Sequence, residues 1–169
     1  MTVFRNDIAL RPYAEGDLGL LTRLRTDPRL RTHLGGPQAR EQILERHQRY
    51  LEADDRLFVI VRGIEKLSVG WAGYWEMTFR NAAVYETGWI VLAEHQGQGV
   101  GSTAARLVVE KARERGGRRD LHAFPSVDNA ASNALCSGLG FQLRGEFDDE
   151  WPPGHRVRAN DWYLDLQQA

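Results

Sequence analysis

Three glycines at alternate positions, Gly97, Gly99 and Gly101, separate an apolar run that ends at Leu92 from a helical pattern that begins at Ser102. A buried strand therefore turns tightly and feeds directly into a helix. The first N–H groups of a helix have no internal acceptor, and the aligned peptide dipoles add partial positive charge at that end. Glycine lets the backbone wrap closely enough to bring those donors against a phosphate. The segment predicts a pyrophosphate cradle; a glycine-rich turn without a ligand is the alternative. Two familiar phosphate loops do not fit. The ATPase loop needs a lysine after its last glycine, and the dinucleotide fingerprint needs glycine where Ser102 stands. Asp120 precedes its strand, where it could not reach a ribose.

The rest of the chain surrounds this turn with one domain, residues 1–169, of mixed α/β type. A strand is expected over 3–11, closed by Pro12. Leu18, Leu21 and Leu24 repeat at helical spacing over 14–26, and Asp27-Pro28 stops that helix. An Arg-rich segment runs to Gly35-Gly36. Pro37 opens a second helix with Ile43, Leu44 and Leu51 as its apolar face. Strands follow over 57–61, 67–75 and 83–92, joined by short connections that suit an antiparallel meander. After the glycine turn come a helix over 102–115, a strand over 121–124, a helix capped by Asp128 or Asn129, and strands over 141–147 and 160–166. The strands flanking the 102–115 helix should pair in parallel, because a crossover helix joins them.

Composition narrows the partners. Of 169 residues, 42% are hydrophobic and 27% charged, and the formal net charge is −1. That charge provides no global attraction for nucleic acid. No apolar stretch approaches the roughly 20 residues that span a bilayer. Cys136 is the single cysteine, which excludes an internal disulfide and predicts a cytoplasmic protein. The histidines at 33, 47, 95, 122 and 155 lack metal-ligand spacing, so no metal is expected. Lysine occurs only at Lys66 and Lys111, so arginine is the default partner for anions.

The glycine spacing resembles the Gln/Arg-x-x-Gly-x-Gly/Ala signature of the GNAT superfamily of N-acetyltransferases, matched by Gln96, Gly99 and Gly101. Asn129, Ser132 and Gly140-Phe141 downstream resemble a block of its ribosomal-protein alanine N-acetyltransferase branch. The resemblance implies a mostly antiparallel sheet splayed between its fourth and fifth strands, with acetyl-CoA in the opening. The backbone of Ile90, Val91 and Leu92 would pair with pantetheine. The amides of Gln96, Gly97, Gln98, Gly99, Val100, Gly101 and Ser102 would hold pyrophosphate, and Asn129 would bond pantetheine from the other side. The implied reaction is attack of a primary amine, on a protein N-terminus or a small molecule, upon the thioester. The protein would be a monomer or homodimer. An acyl-CoA-binding module without catalysis is the alternative from another class.

Each candidate residue also has a purely structural explanation. Ser132, one turn past Asn129, matches the position that protonates the CoA thiolate in similar enzymes, or its hydroxyl serves the helix cap. Glu86 shares a strand face with Gly88 and Ile90 and is a candidate general base, or else a structural acid paired with arginine. Glu76 is a weaker substitute. Cys136 is read as a small buried hydrophobe. Trp71, Trp75 and Trp89 are read as core. Asp148, Asp149 and Glu150 followed by Trp151 suggest a loop that attracts a cationic acceptor; a solvated acidic loop with Trp151 packed inward is the other reading.

Overall fold

The computed structural model describes residues 7–53 and 56–168. Its strands are β1 (Ile8–Pro12), β2 (Leu57–Arg62), β3 (Leu67–Phe79), β4 (Ala82–Val91), β5 (Asp120–Ala123), β6 (Gln142–Glu150) and β7 (Arg156–Asp165). The helices are α1 (Leu18–Thr26), α2 (Arg40–Glu52), α3 (Val100–Arg115) and α4 (Ala130–Gly138). One seven-stranded sheet runs β1-β2-β3-β4-β5-β7-β6. Every neighbouring pair is antiparallel except β4 with β5, which α3 joins as a crossover. The expected element order and the parallel pair are both present. The expected first strand is described from Ile8, and its earlier residues lie outside the described residues. Pro12 lies within β1, an edge strand, where a missing N–H costs no sheet bond.

The sheet is covered on both faces. On one, α3 buries Val100, Ala104, Ala105, Val108, Val109 and Ala112, which pack with Ile60, Val69, Tyr85 and Leu121. Each fully buried valine stabilises by about 1.5–3 kcal/mol. Tyr85 crosses the layer and donates to the Gly116 carbonyl at 2.7 Å, tying β4 to the end of α3. On the other face a smaller cluster joins Leu24 of α1 to Leu57, Trp71 and Leu92, with Tyr50 of α2, Trp75 and Ile90 beside it.

Helix α2 departs from the expected pattern. It begins at Arg40 rather than Pro37, because the Gln38 N–H is spent on the Arg25 carbonyl and the Gln42 side chain caps the Ala39 N–H. Leu44 and Leu51 are exposed, and of the expected apolar face only Ile43 is buried. The residues one and two turns on from Ile43 on its side of the helix, Arg46, His47 and Tyr50, are polar or aromatic. This helix walls a cavity instead of filling a core.

The β4–β5 pairing is short. Only Tyr85↔Leu121 and Glu86↔His122 are in register, whereas β3 follows β4 along its whole length. Beyond Glu86 the two parallel strands part. The chain after β5 turns to β7 instead, through a bridge between Ser126 and Ala159. A crevice thus opens at the carboxyl ends of β4 and β5, where ligands of open α/β sheets are bound.

Candidate active site

Two helix N-termini flank the crevice. At the start of α3, Gly99 has φ +78° and Gly97 φ +70°. Both are in the left-handed backbone region that favours glycine. A Cβ at Gly97 would meet nothing within 4 Å, and at Gly99 only the Ser102 hydroxyl, at 3.9 Å. The N–H groups of residues 97–102 find no acceptor among the described residues, so the turn presents a row of open donors. Its side chains hold it in place. Gln96 donates to the Val91 carbonyl at 2.9 Å, and Gln98 accepts from Arg62 at 2.6 Å. Gly101 faces α4: a Cβ there would lie 3.4 Å from Leu135, in ordinary van der Waals contact. Val100 is buried in the core.

Opposite stands α4. Asn129 is its cap and accepts from the Ser132 N–H at 3.2 Å, so the Ser132 hydroxyl is not the capping group. An asparagine side chain at this position satisfies a donor that the helix itself cannot. Asn133, to which the sequence pattern assigns no role, anchors this helix. Its carbonyl oxygen accepts from Asn160 at 2.8 Å and Trp162 at 2.7 Å, and its amide donates to the Ser126 and Asn129 carbonyls. Of Ile90, Val91 and Leu92, Val91 turns its backbone toward the crevice. The Leu92 N–H is used by Val69 of β3, and peptide groups alternate along a strand.

A cavity of about 940 Å³ runs from the crevice toward α1 and α2. Glu86, Ile90, Asn129, Ser132, Asp149, Glu150 and Trp151 all line it. Gln96 through Ser102 do not. Glu86 is half-buried and shares a sheet face with Trp75, which lies opposite it in register and donates Nε1–H to its carboxylate at 2.9 Å. Such directly opposed pairs are the closest side-chain neighbours in a sheet. Burial pushes the Glu86 carboxyl up to about 7; the Trp75 bond opposes that and the nearby Asp149 charge adds to it. No arginine pairs with Glu86 among the described residues. Glu76, by contrast, lies between Arg56 and Arg118 at 3.4 and 3.5 Å and is half-exposed. Cys136 is fully buried with its thiol raised to about 12, an unreactive core residue.

The acidic segment is not a free loop. Asp148, Asp149 and Glu150 belong to β6, and only 151–155 form the hairpin turn. Asp148 pairs with Arg158 at 3.0 Å, and the Glu150 carboxylate accepts from the Gly154 N–H at 2.7 Å. Trp151 is exposed and lies 5.8 Å from the Arg46 guanidinium. Pro152 packs on Gly35 so closely that a Cβ there would sit 2.7 Å from its ring. The hairpin therefore roofs the cavity against the segment after α1. A buried His122–Asp161 contact at 2.7 Å, on the strands next to the crevice, has no signal in the sequence pattern either. No group of three or more His, Cys, Asp or Glu among the described residues is placed to hold a metal.

A mixed sheet parted at one parallel pair, with a helix N-terminus on each side of the opening, is the architecture of the CoA-dependent acetyltransferases. The chain matches the acetyltransferase (GNAT) domain family over residues 7–142 and belongs to that family. Solved structures share the fold across nearly the whole chain. A GNAT-family acetyltransferase from Bacillus anthracis superposes with TM-score 0.82 at 16% identity, covering 99% of this chain and 100% of that one. A Vibrio cholerae spermidine N-acetyltransferase, solved with CoA and spermine, gives 0.78 at 20% identity, covering 95% and 96%. A ribosomal-protein-alanine N-acetyltransferase from Brucella melitensis gives 0.69 at 26% identity, covering 93% and 99%. No curated protein matches the sequence significantly.

Proposed function

We propose that this protein is an acetyl-CoA-dependent N-acetyltransferase acting by direct attack of a primary amine, with Glu86 as general base and Ser132 as proton donor to the leaving thiolate. The observation that carries the reading is Glu86. It is a carboxyl raised to about 7, with no arginine paired to it among the described residues, in one cavity with Ser132 where the sheet parts. A base with pKa near the working pH best combines availability with driving force. The open donors of residues 97–102 would hold the pyrophosphate, the Val91 backbone would pair with pantetheine, and the Asn129 amide would bond it from the α4 side.

The amine nitrogen attacks the thioester carbonyl carbon, the C–N bond forms and the C–S bond breaks. The ammonium proton passes to Glu86, directly or through water, and the CoA sulfur takes the Ser132 proton, which solvent restores. Asp149, Glu150 and Trp151 would draw the amine toward the mouth. The block Asn129, Ser132 and Gly140-Phe141 supports the ribosomal-protein alanine branch, whose acceptor is a protein N-terminus; the cavity's size supports a small amine equally. The cytoplasm, where acetyl-CoA is available, is the corresponding location. A direct check measures CoA release from acetyl-CoA across peptide N-termini, lysine peptides, polyamines, aminoglycosides and amino acids. Turnover with any of them supports the reading. Tight acetyl-CoA binding without turnover for all of them would favour a non-catalytic acyl-CoA-binding module.

A further inference from the structure

The wall of the cavity farthest from the crevice is built from cations that lack counter-ions among the described residues. Arg25 of α1 and Arg46 of α2 line it, and Arg31, which does not, is near enough for both charges to act on it. Arg25 is 6% exposed and Arg31 1%. Burying a guanidinium is costly unless a carboxylate compensates it, yet no ion pair joins any of the three to a described carboxylate. Their hydrogen bonds go to neutral groups: Arg25 donates to the Tyr50 hydroxyl at 2.8 Å, and Arg31 to the carbonyls of Leu34 and Gly36. Burial and the charges of Arg25 and Arg46 pull Arg31 down to about 10.

Donors are also left over. Arg25 Nε, Arg46 Nε and Trp71 Nε1 are buried, unpaired and carried by residues lining the cavity, and Arg31 Nη1 is unpaired too. The Gln38 carbonyl oxygen, unpaired as well, does not line it. From this wall an aromatic row leads to Glu86. Arg46 lies 6.0 Å from the Tyr50 ring, Tyr50 stacks on Trp71 at 5.3 Å, Trp71 on Trp75 at 6.1 Å, and Trp75 holds the carboxylate. One end of the row is cationic and rich in donors, the other anionic, and the middle is flat and apolar.

From this arrangement we infer that Arg25, Arg46 and Trp71 form a subsite for an oxyanion on the acceptor, so that the amine acetylated here carries a carboxylate separated from it by a chain long enough to follow the aromatic row, as in an ω-amino acid or a short peptide, its carboxylate at the arginines and its amine at Glu86. This rests on the acetyltransferase reading for the amine's position alone. A carboxylate supplies the acceptors that the guanidinium edges lack, with the short charge-assisted bonds Arg favours. It also neutralises a buried positive cluster, so binding and fold stability rise together. The acidic strand end then has a complementary part: Asp149 attracts the ammonium at the mouth while the arginines hold the other end.

The experiment uses pairs that differ only by the carboxylate and whose amine and carboxylate are set well apart: 6-aminohexanoate and pentylamine, 8-aminooctanoate and heptylamine, trialanine and Ala-Ala-ethylamide. Each is titrated calorimetrically into the full chain saturated with CoA, which requires no turnover. In at least one pair the carboxylate-bearing member should bind at least about tenfold tighter than its decarboxylated partner, and Arg46→Gln or Arg25→Gln should reduce that ratio to near unity. Arg46 is half-exposed, so its variant serves if Arg25→Gln does not fold. Equal or tighter binding of the decarboxylated amine in every pair overturns the inference, as does a preference that survives both substitutions. A carboxylate preference without acetyl transfer to any amine keeps the subsite and removes catalysis. Transfer to polyamines or peptides without a carboxylate preference does the reverse.

Discussion

The two ends of the ligand space are built on different principles. The crevice end is made of backbone: a turn whose glycines adopt φ near +70 to +78° and a row of N–H groups without acceptors. The acceptor end is made of side chains that converge from distant parts of the chain: Arg25, Arg46, Trp71, Glu86 and Trp151. The first needs only a local spacing of glycines between a strand and a helix. The second needs α1, α2, β3, β4 and β6 to be correctly stacked before any of its groups meet. A backbone cradle suits a ligand part that is always the same, pyrophosphate and pantetheine. A side-chain wall is free to vary, and there the substrate is chosen.

Substitutions at the two ends should therefore separate in kinetics. The largest effect is expected at the point where they join. Glu86→Gln should lower turnover by about 100-fold or more while leaving acetyl-CoA affinity nearly unchanged. In the wild type the rate should rise with pH through about 7 as Glu86 loses its proton, and this limb should vanish in the variant. Overlaying profiles would assign Glu86 to structure.

Next comes the crevice. In the donor turn Gly99 sits at φ +78°. Gly99→Val puts a β-branched side chain there and should weaken acetyl-CoA binding by more than about tenfold, with the acceptor constant little affected. Undiminished binding by calorimetry would break the assignment of the turn to pyrophosphate. Ser132→Ala should slow turnover by about tenfold with acetyl-CoA affinity retained. An unchanged rate with a good acceptor would leave Ser132 as a residue of the first turn of α4 whose backbone N–H completes the Asn129 cap.

A fourth measurement needs no substrate. The Glu86 carboxyl is raised from 4.5 in the unfolded chain to about 7 in the fold, so between these values the native state holds a proton that the unfolded state has released. Stability from this group is complete below about 4.5 and is lost as pH rises through about 7. The Tm of ligand-free protein should fall over that window, and Glu86→Gln should flatten the fall. A variant with the same slope as wild type would locate the dependence elsewhere. The smallest effect belongs to Asp149, whose charge helps raise Glu86 from an exposed position. Asp149→Asn should move the rising limb to lower pH by less than about one unit, and added salt should shrink the shift. A shift that salt does not alter would mean that more than charge connects the two.

The contrast also explains what is legible without the structure. The element order, the parallel pair around α3 and the Asn129 cap follow from short-range signals: apolar runs, glycine stops and a capping residue. Glu86 is legible because alternation along β4 puts it on the face of Gly88 and Ile90. Its partner is not, because Trp75 reaches it only through the register of β3 on β4, in which Trp75 opposes Glu86. The acidic run reads as a loop because carboxylates in succession disfavour a strand. Pairing of Asp148 with Arg158 and of Glu150 with the Gly154 N–H overrides that preference. The apolar face assigned to α2 is wrong for Leu44 and Leu51 because the helix borders a cavity, and leucines at helical spacing do not report what lies opposite.

By itself the sequence determined the class of fold and the position of the glycine turn, since both depend on periodicities and backbone freedoms spanning a few residues. Only the tertiary structure decided the environment of each ionisable group. Whether an arginine is solvated or buried without a counter-ion, and whether a glutamate titrates near 4.5 or near 7, depends on desolvation and on charges brought together across the chain. The arginines look alike in a string of letters. Arg25, Arg31 and Arg46 differ from the rest because α1, α2 and the segment between them fold over the same face of the sheet and leave no described carboxylate within ion-pair reach of them.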